Sequence, residues 1–172
     1  MTYVFKTMPS PVGELTLVAT GQGLAAILWQ DDDPKRVKLE PRARDDNHPI
    51  LKATEAQLND YFAGRLKRFD VPLDPKGTDF QKAVWTALLT IPFGETRSYG
   101  EIARQVGRPT AFRAVGAANG KNPISIIAPC HRVIGSNGTL TGFAGGLQAK
   151  KLLLDLEGGQ DRPWKLPLGR VG

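Results

Sequence analysis

Seven residues, Val71 to Gly77 (VPLDPKG), constrain this chain more than any others. Two prolines three residues apart, followed by glycine, remove backbone donors and fix φ, so neither a helix interior nor a central strand runs through them. The 172 residues therefore divide there, and the halves differ in character. Up to Gly77, 11 Lys and Arg balance 11 Asp and Glu; beyond it 12 face 6, so the net charge of +6 lies wholly in the second half. A chain this long buries roughly two-thirds of its unfolded surface. With 41% hydrophobic residues it supports a packed core, and disorder is excluded as the main state.

The first half reads as strands joined by turns. Leu15 and Leu17 alternate with Glu14, Thr16 and Val18, Thr20 to Gly23 turns the chain, and Leu24 to Trp29 is an apolar run. Residues 30–47 are highly charged and read as an exposed loop, with His48 a surface residue without partners. A helix begins at Pro49, aligns Leu51, Leu58 and Phe62, and stops at Gly64. The second half turns helical. Thr78 with Gln81, and Ser98 with Glu101, form capping boxes; the first opens a stripe of Phe80, Val84, Leu88 and Ile91. Gly107 closes the second helix, and Thr110 is placed to cap a third that runs to about Asn119. The expected class is α+β: a small N-terminal α/β domain (antiparallel sheet plus helix, 1–77), a mainly helical C-terminal domain (78–157), and a tail (158–172) containing Trp164.

Two short helices joined by a tight turn have the layout of a helix-turn-helix, although an ordinary helical hairpin gives the same pattern. The third helix, AFRAVGAANG, offers few polar groups for reading bases. Ala114, Ala117 and Ala118 suit close approach to a backbone or groove floor, or packing on a neighbouring helix. The basic balance fits a polyanion partner, and basic tails or solvated faces give the same imbalance.

Chemistry concentrates at Cys130. As the single cysteine it excludes an intramolecular disulfide and a multi-cysteine zinc site. Ile124, Ile126 and Ile127 read as a short buried strand ended by Pro129, which puts Cys130 where a rigid element emerges. His131 and Arg132 beside it are groups that lower a thiol pKa. Adjacent residues of an extended chain point oppositely, so His131 would act on the thiol through a water, oriented by a carboxylate. Glu157, ending a helix from Gln148 whose Leu152, Leu153 and Leu156 supply packing, is the best acid in reach. A lone cysteine is equally a small buried hydrophobe, and Glu157 equally a solvated helix end.

The run Pro129-Cys-His-Arg-Val-Ile-Gly135, with Ala114-Val-Gly-Ala-Ala-Asn-Gly120 and Asn122-Pro123 upstream and the glycine-rich Leu140 to Gly146 downstream, closely resembles the O6-alkylguanine-DNA alkyltransferases. The likeness runs from about Phe80 to Glu157 and more weakly over the N-terminal domain. It implies a suicide repair protein that binds double-stranded DNA by the minor groove, largely without sequence preference, and everts the damaged guanine. O4-alkylthymine stands as a further possible substrate, and the protein as a monomer, alone or assembled cooperatively on DNA.

On this resemblance Cys130 accepts the alkyl group, His131 and Glu157 deprotonate it, and Asn122 holds the active-site turn. Tyr99 crowds a phosphate and protonates the leaving base, while Arg113 fills the space the base vacates. Thr110, Ala114, Ala118, Asn119 and Arg132 join Arg113 and Tyr99 at the DNA, and Val133, Phe143 and Ala144 line the base pocket. Phe143 stands where the family often has tyrosine. No cofactor or metal is implied, since the lesion is itself the alkyl donor.

Three other readings compete: a Cys-His hydrolase, a non-catalytic helix-turn-helix sensor of alkylated DNA, and a redox thiol. The hydrolase needs a base in direct reach of the sulfur. The sensor has no use for Cys130, and the redox thiol none for Asn122, Tyr99 and Arg113. Without a signal-peptide core in MTYVFKTMPS or an apolar run of membrane-spanning length, a soluble cytoplasmic protein is the expectation.

Overall fold

The structure, a computed structural model, describes residues 2–39 and 42–158. The tail, with Trp164, lies outside the described residues apart from Gly158. The chain forms two compact units: Met1–Gly77 with Pro123–Ile127, and Thr78–Asn122 with Ala128–Gly172. The expected stretch 78–157 is therefore interrupted, because five residues inside it pack with the first unit.

In the first unit, strands β1 (Tyr3–Met8), β2 (Leu15–Ala19), β3 (Leu24–Leu28) and β4 (Arg42–Arg44) form one sheet in the order β3-β2-β1-β4. The first three pair antiparallel; β4 joins β1 in parallel, so the sheet is mixed. β4 corrects the expectation of a loop through 30–47. Its Arg-Ala-Arg sequence is exposed throughout, so no buried face marks it as a strand. Backbone pairing makes it, with the Arg42 and Arg44 guanidinium groups 5.6 and 5.8 Å from the Phe5 ring centre.

Helix α1 (Pro49–Phe62) buries Leu51, Thr54, Leu58 and Tyr61. His48 is not partnerless: its Nδ1 accepts the Ile50 N–H at 3.3 Å and caps the helix. The first part of VPLDPKG is docked rather than loose. Pro72 accepts from the Leu24 N–H at 2.8 Å, and Asp74 N–H donates to the Leu24 carbonyl at 2.7 Å. Gly23 permits that approach, since a Cβ there would stand 2.8 Å from the Pro72 oxygen.

Pro123–Ile127 attaches to the end of β3: the Ile27 N–H donates to the Pro123 carbonyl at 2.8 Å, and Trp29 Nε1 to Ser125 Oγ at 3.2 Å. The expected strand over Ile124 to Ile127 is a single bridge at Ile124 followed by a turn. Ile126 adopts φ of 76°, left-handed backbone that costs a β-branched residue on the order of 1–3 kcal/mol. Its complete burial holds it there.

The second unit contains α2 (Asp79–Leu88), β5 (Arg97–Ser98), α3 (Tyr99–Gln105), α4 (Phe112–Gly120), β6 (Val133–Ile134) and α5 (Leu147–Gly158), with β5 and β6 paired in parallel. Both capping boxes form: Thr78 and Gln81 exchange bonds of 3.1 and 2.9 Å, as do Ser98 and Glu101. Helix α4 starts later than expected, with Ala111 at its cap and no side chain bonding there, so Thr110 is not the cap. Val84, Leu88, Ile102, Val115, Ala118 and Val133 form the core around Cys130, and Trp85 Nε1 ties α2 to α4 through the Ala118 carbonyl at 2.8 Å. The α5 core face is Ala149, Lys150, Leu153, Leu154 and Glu157, while Leu152 is exposed. Among the described residues no helix is long and apolar enough to cross a membrane. The fold is α+β, an N-terminal mixed sheet with a helix and then a mainly helical unit.

Candidate active site

Cys130 opens a 3₁₀ turn, Cys130–Arg132, between Pro129 and β6. Its N–H bonds the Ala128 carbonyl at 2.7 Å, and Asn122 Nδ2 donates to the same carbonyl at 2.8 Å. Asn122 thus fixes the entry to the turn from a buried position. The turn replaces the expected extended chain and parts Cys130 from the two side chains that follow it. Cys130, 3% exposed, lies in the core; His131 and Arg132 both meet Glu157.

Glu157 is the hub. One oxygen, Oε2, lies 2.8 Å from His131 Nε2 and 2.9 Å from Arg132 Nη2; Oε1 takes Arg132 Nε at 2.7 Å. Burial alone would raise this carboxyl, but the bonds and charges of His131 and Arg132 hold it down at about 2. A carboxylate only accepts, so His131 Nε2 carries the hydrogen and Nδ1 keeps its lone pair. Nδ1 is buried and makes no hydrogen bond to the described protein atoms. Burial lowers the His131 pKa despite Glu157, so the ring is neutral near pH 7 and Nδ1 is basic in the sense a proton acceptor needs.

Arg132 is corrected from a DNA contact to an internal strut. It is buried, and Nη1 also reaches the Ile91 carbonyl at 2.6 Å. Ala118 and Asn119, also expected at the DNA, are buried as well. Arg113 and Ala114 on the first turn of α4, and Thr110 before it, are exposed. Tyr99 is half-buried, its ring 3.8 Å from the Cβ position of Gly116. Val133 is buried, Phe143 half-buried against the core around Cys130, and Ala144 exposed.

Two participants escape the sequence reading. Lys150 is completely buried and donates to the Val133 carbonyl at 2.7 Å and to Thr141 Oγ1 at 3.2 Å. Burial lowers its pKa to about 8, against the opposing pull of Cys130. Thr141 Oγ1 also bonds the Tyr99 hydroxyl. The available signal was helical spacing: Lys150, Leu153, Leu154 and Glu157 share one face of α5, so a lysine and a glutamate on an apolar stripe point to a polar site. Among the described residues no cluster of His, Cys, Asp and Glu forms a metal site.

Comparison with known proteins gives the family of the chain. The 6-O-methylguanine DNA methyltransferase DNA binding domain matches residues 79–159, and the ribonuclease-like domain of the same proteins matches 3–75. The chain belongs to the 6-O-methylguanine DNA methyltransferase family. Within that family it is 56% identical over 155 residues to a methylated-DNA–protein-cysteine methyltransferase of Mycobacterium tuberculosis, covering 89% of this chain and 91% of that one. A Methanosarcina acetivorans protein of the same name is 52% identical, with 87% and 94% covered. The crystal structure of Mycobacterium tuberculosis OGT in complex with DNA superposes with a TM-score of 0.83 at 51% identity, covering 92% of this chain and 93% of that one. Both 6-O-methylguanine DNA methyltransferase modules are thus present, and Cys130 falls in the DNA-binding one.

Proposed function

We propose that Cys130 is the acceptor in direct reversal of DNA alkylation: the alkyl group of O6-alkylguanine moves irreversibly to its sulfur. The protein is a single-turnover methylated-DNA–protein-cysteine methyltransferase acting on double-stranded DNA. His131 Nδ1 takes the thiol proton through a water, and Glu157 holds the ring and stabilises the imidazolium formed. The thiolate attacks the alkyl carbon, the Sγ–C bond forms as the C–O6 bond breaks, and the electron pair leaves on guanine. Tyr99 donates a proton to that leaving base. The thioether has no carbonyl for water to attack, so the sulfur is not regenerated.

The lesion is out of reach inside a duplex, so the base is everted from DNA held at the minor groove by α3 and α4. Exposed Arg113 occupies the vacated space, and exposed alanines such as Ala114 allow close approach without reading sequence. Val133, Phe143 and Ala144 surround the base. A thiol kept reduced suits the cytoplasm. The observation that carries the reading is the buried relay beside the single cysteine, with Nδ1 of His131 left as proton acceptor.

Intact-mass spectrometry after incubation with O6-methylguanine duplex tests it. One methylene gained per molecule, on Cys130, with repair stopping at one equivalent, is the expected result. Repeated turnover, or a Cys130 thiol still titratable after repair, overturns it.

A further inference from the structure

Three side chains that meet at the active-site loop form a hydrogen-bonded series. The ammonium of Lys150 can only donate, so at 3.2 Å it makes Thr141 Oγ1 an acceptor. Thr141 has one proton of its own, and the Tyr99 hydroxyl is its bonded neighbour. When that proton points to the Tyr99 oxygen, the phenolic O–H is free to point elsewhere.

We propose that Thr141 is a positioning residue for alkyl transfer: its hydroxyl orients the Tyr99 O–H toward the leaving base and relays a proton from Lys150 to the phenolate left behind. The proposal rests on Tyr99 being the proton donor.

The steps balance. Tyr99 gives its proton to the departing guanine; Thr141 passes its hydroxyl proton to the phenolate oxygen; Lys150 replaces the Thr141 proton and ends as a neutral amine. The direction is downhill, because burial raises Tyr99 above its usual 10 while burial lowers Lys150 to about 8. Cys130 faces both groups: its charge raises each of them, and that contribution fades as the sulfur becomes a neutral thioether. His131 feels the Lys150 charge, and the Phe143 ring lies 6.0 Å from Nζ. Thr141 lies in the Leu140 to Gly146 loop and Tyr99 opens α3, so the same bond ties the loop to the start of that helix.

The test measures single-turnover transfer from O6-methylguanine duplex over a range of DNA concentrations. Thr141→Val keeps the shape and removes the hydroxyl; Thr141→Ser keeps the hydroxyl. Thr141→Val is expected to slow transfer at saturating DNA on the order of tenfold to a hundredfold, part of the usual benefit of a placed acid, with half-saturation unchanged. Thr141→Ser restores the rate to within about twofold. In a Lys150→Met background, Thr141→Val adds little, since the relay is already broken. A full rate in Thr141→Val, a Thr141→Ser as slow as Thr141→Val, a loss confined to half-saturation, or losses that multiply would overturn the proposal. Failure of the wild-type protein to transfer the methyl group would instead count against the function itself.

Discussion

Arg132 and Glu157, 25 residues apart in sequence, meet as a two-point pair, Nε to Oε1 at 2.7 Å and Nη2 to Oε2 at 2.9 Å. The fork fixes the plane of the carboxylate, and that plane sets the direction of the oxygen bonded to His131. Arg132, two residues after Cys130 in sequence, thus orients the carboxylate partner of His131 at the far end of α5.

Removing one partner of such a pair leaves the other charge buried. Arg132→Ala is expected to cost about 3–5 kcal/mol in stability, and Arg132→Lys less, because it keeps the charge but loses the fork. Urea unfolding at pH 7 measures both. Equal stability of wild type and Arg132→Ala would show the pair to be energetically idle.

The acid limb of stability should carry the Glu157 signature. Its folded pKa of about 2 lies below the ordinary 4.5, so on acidification the unfolded chain takes the proton first. Stability present above 4.5 is then lost as the pH falls toward 2, about 3 kcal/mol in all. His131 acts in the same direction: its pKa is lowered, so folding weakens once the pH drops below its usual 6.5. Unfolding free energies between pH 5 and 3 should fall more steeply in wild type than in Glu157→Gln. Parallel slopes contradict the assignment.

Lys150 predicts a rise on the other side. Its folded pKa of about 8 lies below the ordinary 10.5, so between those values the unfolded chain binds more protons and stability grows with pH. The Lys150→Met protein should lack this contribution. Denaturant midpoints from pH 8 to 10 for the two proteins decide the matter, and an identical rise in both would refute it.

Arg113 is exposed on the first turn of α4 and makes none of the buried contacts of the relay. Arg113→Ala should therefore weaken DNA binding and slow repair of duplex DNA, while leaving the reaction with free O6-benzylguanine nearly intact. Rates on the two substrates, compared side by side, provide the check. An equal loss on both would mean the side chain serves the chemistry rather than the duplex.

Much of this was legible where the physics is local. Capping boxes need residues three apart, and Thr78 with Gln81 and Ser98 with Glu101 form as the spacing requires. Strands β2 and β3 followed from turn residues and alternation, and a buried pair of His131 with Glu157 joins two residues already singled out. Charge burial was harder to read because the partners that compensate it are distant in sequence, and only the helical spacing of Lys150 and Glu157 on α5 pointed to it. Arg132, expected at the DNA, is instead held by Glu157, and Lys150, which the sequence analysis passes over, is held by the Val133 and Thr141 oxygens. Ile124 to Ile127 misled for a related reason. An apolar run reports burial but not backbone conformation, and the left-handed Ile126 turns a chain that composition alone would extend.

The return of Pro123–Ile127 to the first unit changes what a cut after Gly77 would accomplish. The downstream fragment would carry away the segment that bonds Ile27 and Trp29, and the upstream fragment would keep those partners bare. Neither piece would own a whole first unit. Recovery of function from two separately made fragments should then require both in one tube: the chain is threaded like a stitch, and severing a loop of it does not yield independent cloth.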